Sequence, residues 1–263
     1  MLDQPTVERL AQRLDDAERS KSLIPAFTRE YPDLTIEDAY AIQRAWTKLQ
    51  LSRGRIVKGH KIGLTSKAMQ NAVGISEPDY GVLFADMFYP DASPIPFDRF
   101  HAPRIEVELA FVLKTPLEGP ECTLFDVLNA TDYVTPALEI LETRMHRVDP
   151  VTKAPRKVMD TISDNAANAA LVVGGRPIRP LDFDLRWIGA LLFRNGQIEE
   201  IGIAAGVGGF VLGSLLSQQP RTVYVEEDYD SIHIRRCYAR YASYDAGSNT
   251  YIGYDGYPHY CRL

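Results

Sequence analysis

The chain has 263 residues, of which 45% are hydrophobic and 24% charged, enough apolar material to bury a full core in one large domain or two smaller ones. A net charge of −6 with no basic stripe argues against a nucleic-acid partner. No apolar run approaches the roughly 20 residues that a bilayer span needs, so no membrane association is expected.

Residues 6–20 predict a helix, with Val7, Leu10 and Leu14 at helical spacing and Thr6 as N-cap. A second helix is marked by Thr35 and Asp38, spaced as a capping box. The apolar positions Ile36, Ala39, Ile42, Trp46 and Leu49 follow, and Gly54 stands where a terminating glycine belongs. From residue 56 the period shortens and β-branched residues with Gly and Pro punctuation take over, at Ile56-Val57, Lys61–Leu64, Ile105–Leu113 and Leu171–Gly175. The run from Arg186 to Phe193, followed by Arg194-Asn195-Gly196-Gln197, predicts two strands joined by an Asn-Gly turn. The expected organisation is α+β: a helical N-terminal extension over 1–54 and a β-rich catalytic domain over 55–263. Three widely spaced cysteines, Cys122, Cys237 and Cys261, include no Cys-x-x-Cys. Neither a disulfide framework nor a zinc site is expected from them, and a cytoplasmic location fits.

The segment Arg104-Ile105-Glu106-Val107-Glu108-Leu109-Ala110-Phe111 is strand-like except for two carboxylates two residues apart. In a strand they share a face, with Cα atoms about 7 Å apart, while Ile105, Val107, Leu109 and Phe111 face the other way. Two like charges on a buried face call for positive compensation. A third carboxylate, Glu139, interrupts the apolar run 136–142. With no His or Cys nearby, the three form an all-oxygen donor set suited to Mg²⁺ or Mn²⁺. The other reading of the pattern is an antiparallel strand whose acidic face is in water.

Taken in order, Gly59-His60-Lys61-Ile62-Gly63-Leu64-Thr65-Ser66, Glu77-Pro78-Asp79-Tyr80-Gly81, Arg104–Ala110, Pro136-Ala137-Leu138-Glu139 and Asp160–Asn168 resemble the 2-oxo acid hydratase and decarboxylase family of the fumarylacetoacetate hydrolase superfamily. The resemblance spans about residues 1–207. The stretch from His146 to Val158 is similar to the family's branch acting on 2-oxo-enoic diacids in homoprotocatechuate catabolism. The resemblance implies a mixed β-roll or distorted β-barrel core, a homo-oligomer, and Mg²⁺ or Mn²⁺ held by Glu106, Glu108 and Glu139. It implies hydration of a small-molecule 2-oxo diacid to a 4-hydroxy-2-oxo diacid.

Lys61, between Gly59 and Gly63, is then expected as general acid/base or electrostatic partner, with a pKa depressed by burial beside a cation. Asp79 would orient Lys61 or activate water, although Asp after Pro is also ordinary turn chemistry. Ser163, Asp164 and Asn165 would bind substrate, with Asx-turn capping as the alternative. Arg144, His146, Arg147, Arg156 and Lys157 would hold a second carboxylate or form a solvated basic loop. After Val207 the family pattern stops, and nine of the 14 tyrosines fall between Tyr224 and Tyr260. A shifted reading frame or wrongly assigned residues is the favoured explanation. The rival functions are decarboxylation of a 2-oxo-enedioate, cleavage of an acylpyruvate C–C bond, and an inactive homologue that binds a pathway decarboxylase.

Overall fold

Asp3 and Pro5 open the first helix, because the Asp3 carboxylate accepts the Thr6 N–H at 2.9 Å and Pro5 occupies a position that needs no donor. A computed structural model of the chain describes residues 1–203 and, beyond them, 237, 240, 241, 243–253 and 257–261. Helix α1 therefore runs Gln4–Ser20, and its cap is Asp3 rather than Thr6. A single turn, α2 (Phe27–Glu30), precedes α3 (Ile36–Ser52), where Thr35 and Asp38 form the expected capping box. Gly54 follows α3 with φ +85°, a conformation that glycine adopts without a Cβ clash.

The apolar stripes of α1 and α3 meet in one core, in which Leu10, Leu14, Phe27, Ile42 and Trp46 pack with Val82, Phe84, Met87 and Met145. The first 54 residues thus share their core with strand residues of the same compact unit, Met1–Leu215. Buried Gln43 ties the helical layer to the rest, donating to Tyr80 O at 2.8 Å and Ile162 O at 3.1 Å.

Strand β1 (Val57–Gly63), the short helix α4 (Lys67–Val73) and β2 (Asp79–Phe84) form an antiparallel ribbon in which Lys61 lies opposite Gly81 and Gly63 opposite Asp79. A four-stranded sheet has the order β3 (Phe88–Pro90), β6 (Asn168–Val173), β5 (Thr131–Leu141), β4 (Arg104–Leu113). Helices α5 (Leu124–Ala130) and α6 (Val158–Ser163) occupy the β4–β5 and β5–β6 connections. Strands β7 (Gly189–Arg194) and β8 (Gln197–Ile203) pair across Asn195 and Gly196, whose φ values of +53° and +83° suit the expected tight turn. The first of these strands begins at Gly189, because residues 185–187 form a 3-10 turn.

The second unit, Leu216–Leu263, contains β9 (Thr250–Ile252) paired with β10 (Pro258–Tyr260). Its core joins Cys237 and Cys261 in a disulfide with Cα atoms 6.1 Å apart, packed against Tyr244. The cysteines therefore do supply a cross-link; their 24-residue separation carries no spacing motif that announces one. Cys122 is free and exposed.

Candidate active site

The long β4–β5 pairing builds the centre. Its register sets Glu106 opposite Glu139 and Glu108 opposite Ala137, so that the pleat projects three carboxylates from one face. One oxygen of each lies within 4.8 Å of the others. Glu139 is buried, and Glu106 and Glu108 are half-buried. The other face of β4 is the open one, with Ile105 50% and Phe111 45% exposed. Burial, together with the charge of Glu139, pushes both Glu106 and Glu108 up to about 7. A divalent cation would relieve this repulsion, and the all-oxygen donor set fits a hard ion.

Lys61 supplies the nearest positive charge, its Nζ standing 3.4 Å from Glu139 Oε1 and donating to Ala166 O at 3.3 Å. Burial alone would depress this ammonium, but Glu139, Asp79, Glu106 and Glu108 outweigh it and the net shift is upward. This upward shift belongs to the metal-free cluster of carboxylates, whereas the depression expected from the sequence is for Lys61 beside a bound cation. Asp79 is buried, one of its oxygens has no hydrogen-bond partner among the described residues, and burial raises its pKa. Gly63 makes this geometry possible: a Cβ there would overlap Asp79 Oδ1 and lie 3.3 Å from Lys61 Nζ. Gly59 has no such part, its nearest neighbour being a leucine methyl at an ordinary 3.8 Å.

The segment after α6 closes the site from the side of β2. Asn165, Ala166 and Ala167 have φ of +53°, +51° and +57°, three successive residues in a region that costs non-glycine residues about 1–2 kcal/mol each. The Asn165 side chain holds them in place, accepting from Val82 N–H at 2.7 Å and donating to Val82 O at 3.0 Å. Gly81 permits the approach, since a Cβ there would stand 2.6 Å from Asn165 O.

The three residues expected to contact substrate differ in their surroundings. Asp164 accepts from Arg144 N–H at 2.8 Å, Thr143 Oγ1 at 2.9 Å and the Arg144 guanidinium. Asn165 is likewise committed to the backbone, whereas the buried Ser163 hydroxyl has no partner among the described residues. Asn168, given no role from the sequence, donates to Glu139 Oε1 at 2.9 Å and fixes that carboxylate together with Lys61. Its only sequence signal is its place at the end of the Asp160–Asn168 motif.

Over 207 residues the chain is 64% identical to a 2-oxo-hept-4-ene-1,7-dioate hydratase of Escherichia coli, covering 79% of this chain and 78% of that protein. The chain belongs to the 2-oxo acid hydratase and decarboxylase family. It is also 40% identical over 210 residues to a 2-keto-4-pentenoate hydratase of Paraburkholderia xenovorans, covering 80% of this chain and 74% of that one. A 4-oxalocrotonate decarboxylase from Pseudomonas putida G7, solved with magnesium and adipate, superposes with a TM-score of 0.72 at 32% identity, covering 80% of this chain and 78% of that one. Members of this family thus include both hydratases and decarboxylases. Residues 233–262 match a different family model, that of BA14K-like proteins. A second family's pattern over these residues weighs against the expected shifted frame or misread residues.

Proposed function

We propose that this chain is a metal-dependent hydro-lyase that adds water to a 2-oxo-enoic diacid, with 2-oxo-hept-4-ene-1,7-dioate as its substrate. The observation that carries this reading is the convergence of three carboxylates within 4.8 Å beside Lys61, in a chain so similar to a hydratase of that diacid. Glu106, Glu108 and Glu139 would hold Mg²⁺ or Mn²⁺, which when bound supplies a Lewis acid for the substrate's 2-oxo group.

The residues around this centre divide the proton work. Lys61, held 3.4 Å from Glu139 at the edge of the carboxylate cluster, is the candidate to favour negative charge developing on the 2-oxo oxygen. Asp79, with an uncommitted buried oxygen, is the candidate to take a proton from C3 and return one at C5, bringing the double bond into conjugation. Water then adds its hydroxyl at C4 and a proton at C3, giving the 4-hydroxy-2-oxo diacid. Ser163 is the candidate substrate donor, while Asp164 and Asn165 hold the surrounding chain and act as positioning residues.

Decarboxylation of a 2-oxo-enedioate is the second reading, favoured by the likeness to the P. putida G7 decarboxylase. Ultraviolet-monitored turnover with product masses, in Mg²⁺ and in excess EDTA, separates the two. A metal-dependent gain of one water supports hydration, loss of CO₂ supports decarboxylation, and no turnover favours a binding partner for a pathway decarboxylase.

The finer fold assignment, a β-roll or distorted barrel as in fumarylacetoacetate hydrolase, is supported by the division of the strands into several small sheets. Half-exposed Ile105, Phe111 and Leu113 on the long edge strand β4 support a homo-oligomer, which light scattering would test. No helix among the described residues is long and apolar enough to cross a membrane. A cytoplasmic location suits the chemistry of the first unit, and the Cys237–Cys261 bond weighs against it.

A further inference from the structure

Four arginines surround the entrance to α6 and the start of β4, and the nearby acids neutralise only some of them. Asp164 takes the Arg144 guanidinium and lies 3.7 Å from Arg156, which also donates to Thr143 Oγ1. The Glu142 carboxylate is occupied by the backbone N–H groups of Thr143, at 3.0 Å, and of His101. Arg147 donates through Nη1 to Ala102 O at 2.7 Å, but its Nη2 is buried with no partner among the described residues. The Arg104 side chain, at the start of β4, has no hydrogen bond or ion pair among the described residues either.

A buried guanidinium N–H without an acceptor is costly, and the like charges of Arg104 and Arg156 add to the effect of burial in holding Arg147 below its ordinary pKa. The place calls for an anion. Arg104 connects it to the catalytic face: it stands two residues before Glu106 on the same side of β4, about 7 Å away. A seven-carbon diacid whose 2-oxo acid end meets Glu106, Glu108 and Glu139 would carry its other carboxylate about this far along the strand.

We propose that Arg147, with Arg104 beside it, receives the second carboxylate of the substrate and so selects diacids over monoacids. This rests on the hydratase reading above and gives it a specificity device. A guanidinium suits the task because its fork can meet both carboxylate oxygens at once.

The test compares kcat/KM for 2-oxo-hept-4-ene-1,7-dioate with that for 2-oxo-pent-4-enoate in the full chain, and measures adipate binding by calorimetry in Mg²⁺. In Arg147→Met the diacid-to-monoacid ratio should fall about 10- to 100-fold, mainly through the diacid's KM, with a parallel loss of adipate affinity. Arg147→Lys should recover part of the ratio, since it keeps the charge and loses the fork. Equal losses on both substrates, or an unchanged ratio, would overturn the proposal. If Arg147→Met does not fold, Arg104→Met at its exposed position decides, an unchanged ratio again counting against the subsite. Should the wild type turn over neither substrate, the hydratase reading fails and adipate decides alone. Weaker adipate binding in Arg147→Met would then support the subsite, whereas equal binding, or none by the wild type, would reject it.

Discussion

Glu106 and Glu108 sit within one pleat repeat of Glu139, and their chemistry is set by that closeness more than by any single contact. Glu108→Gln removes one ligand and one charge, so metal affinity measured by calorimetry should fall at least tenfold and kcat/KM by orders of magnitude. Lys61→Met should instead keep most metal affinity while lowering kcat, because it touches Glu139 without being a ligand. With both glutamates pushed up to about 7 from an ordinary 4.5, the metal-free folded protein binds more protons than the unfolded chain between those values. Its stability should therefore decline as pH rises from about 4.5 to 7, and Mg²⁺ should restore it above that window. By the same linkage, Mg²⁺ affinity should drop about tenfold or more per pH unit below 7, with measurable proton release on binding. Ser163→Ala should raise KM without destabilising the fold in urea unfolding, because the buried hydroxyl it removes has no partner among the described residues. Asp164→Asn, which breaks a buried ion pair, should cost about 3–5 kcal/mol. An equal cost for the two would leave no distinction between a substrate contact and a positioning residue.

The elements that the sequence made legible are those whose signals are local. The capping box of α3, the Asn195-Gly196 turn and the alternation of β4 each lie within a few residues, and each forms as read. The shared face of Glu106 and Glu108 follows from strand geometry alone, but their meeting with Glu139 depends on a register set across a 17-residue connection. Local spacing does not encode that register: Glu139 stood out only as a third carboxylate in an apolar run, and the family resemblance implied that the three share a metal. The left-handed run at 165–167 was invisible for a different reason, since alanine carries no tendency toward positive φ and only the Asn165 bonds to Val82 impose it. Gly81 is the complementary element. Gly81→Ala should force Asn165 O away, cost about 1–3 kcal/mol in denaturant unfolding, and lower kcat by moving Ala166 O from Lys61. A variant with unchanged stability and turnover would remove this strand–turn contact from the account.

At the scale of the whole chain, two compact units carry patterns of two families, and the cysteine count misled because pairing is a property of the second unit's fold. Reduction of Cys237–Cys261 opens a loop worth about 3 kcal/mol, so a calorimetric transition of the second unit should shift downward in reductant while that of the first stays in place. A single transition that moves as a whole would show the units to be thermodynamically coupled. Within the first unit, Gln43 fastens α3 to the backbone on either side of the catalytic centre, at Tyr80 and Ile162. Three residues farther along α3 lies Trp46, sealed against Phe84, while the chain's other tryptophan, Trp187, is 76% exposed. The two indoles therefore emit from opposite surroundings, and the blue component of the protein's fluorescence is an optical gauge of whether the catalytic framework is still assembled.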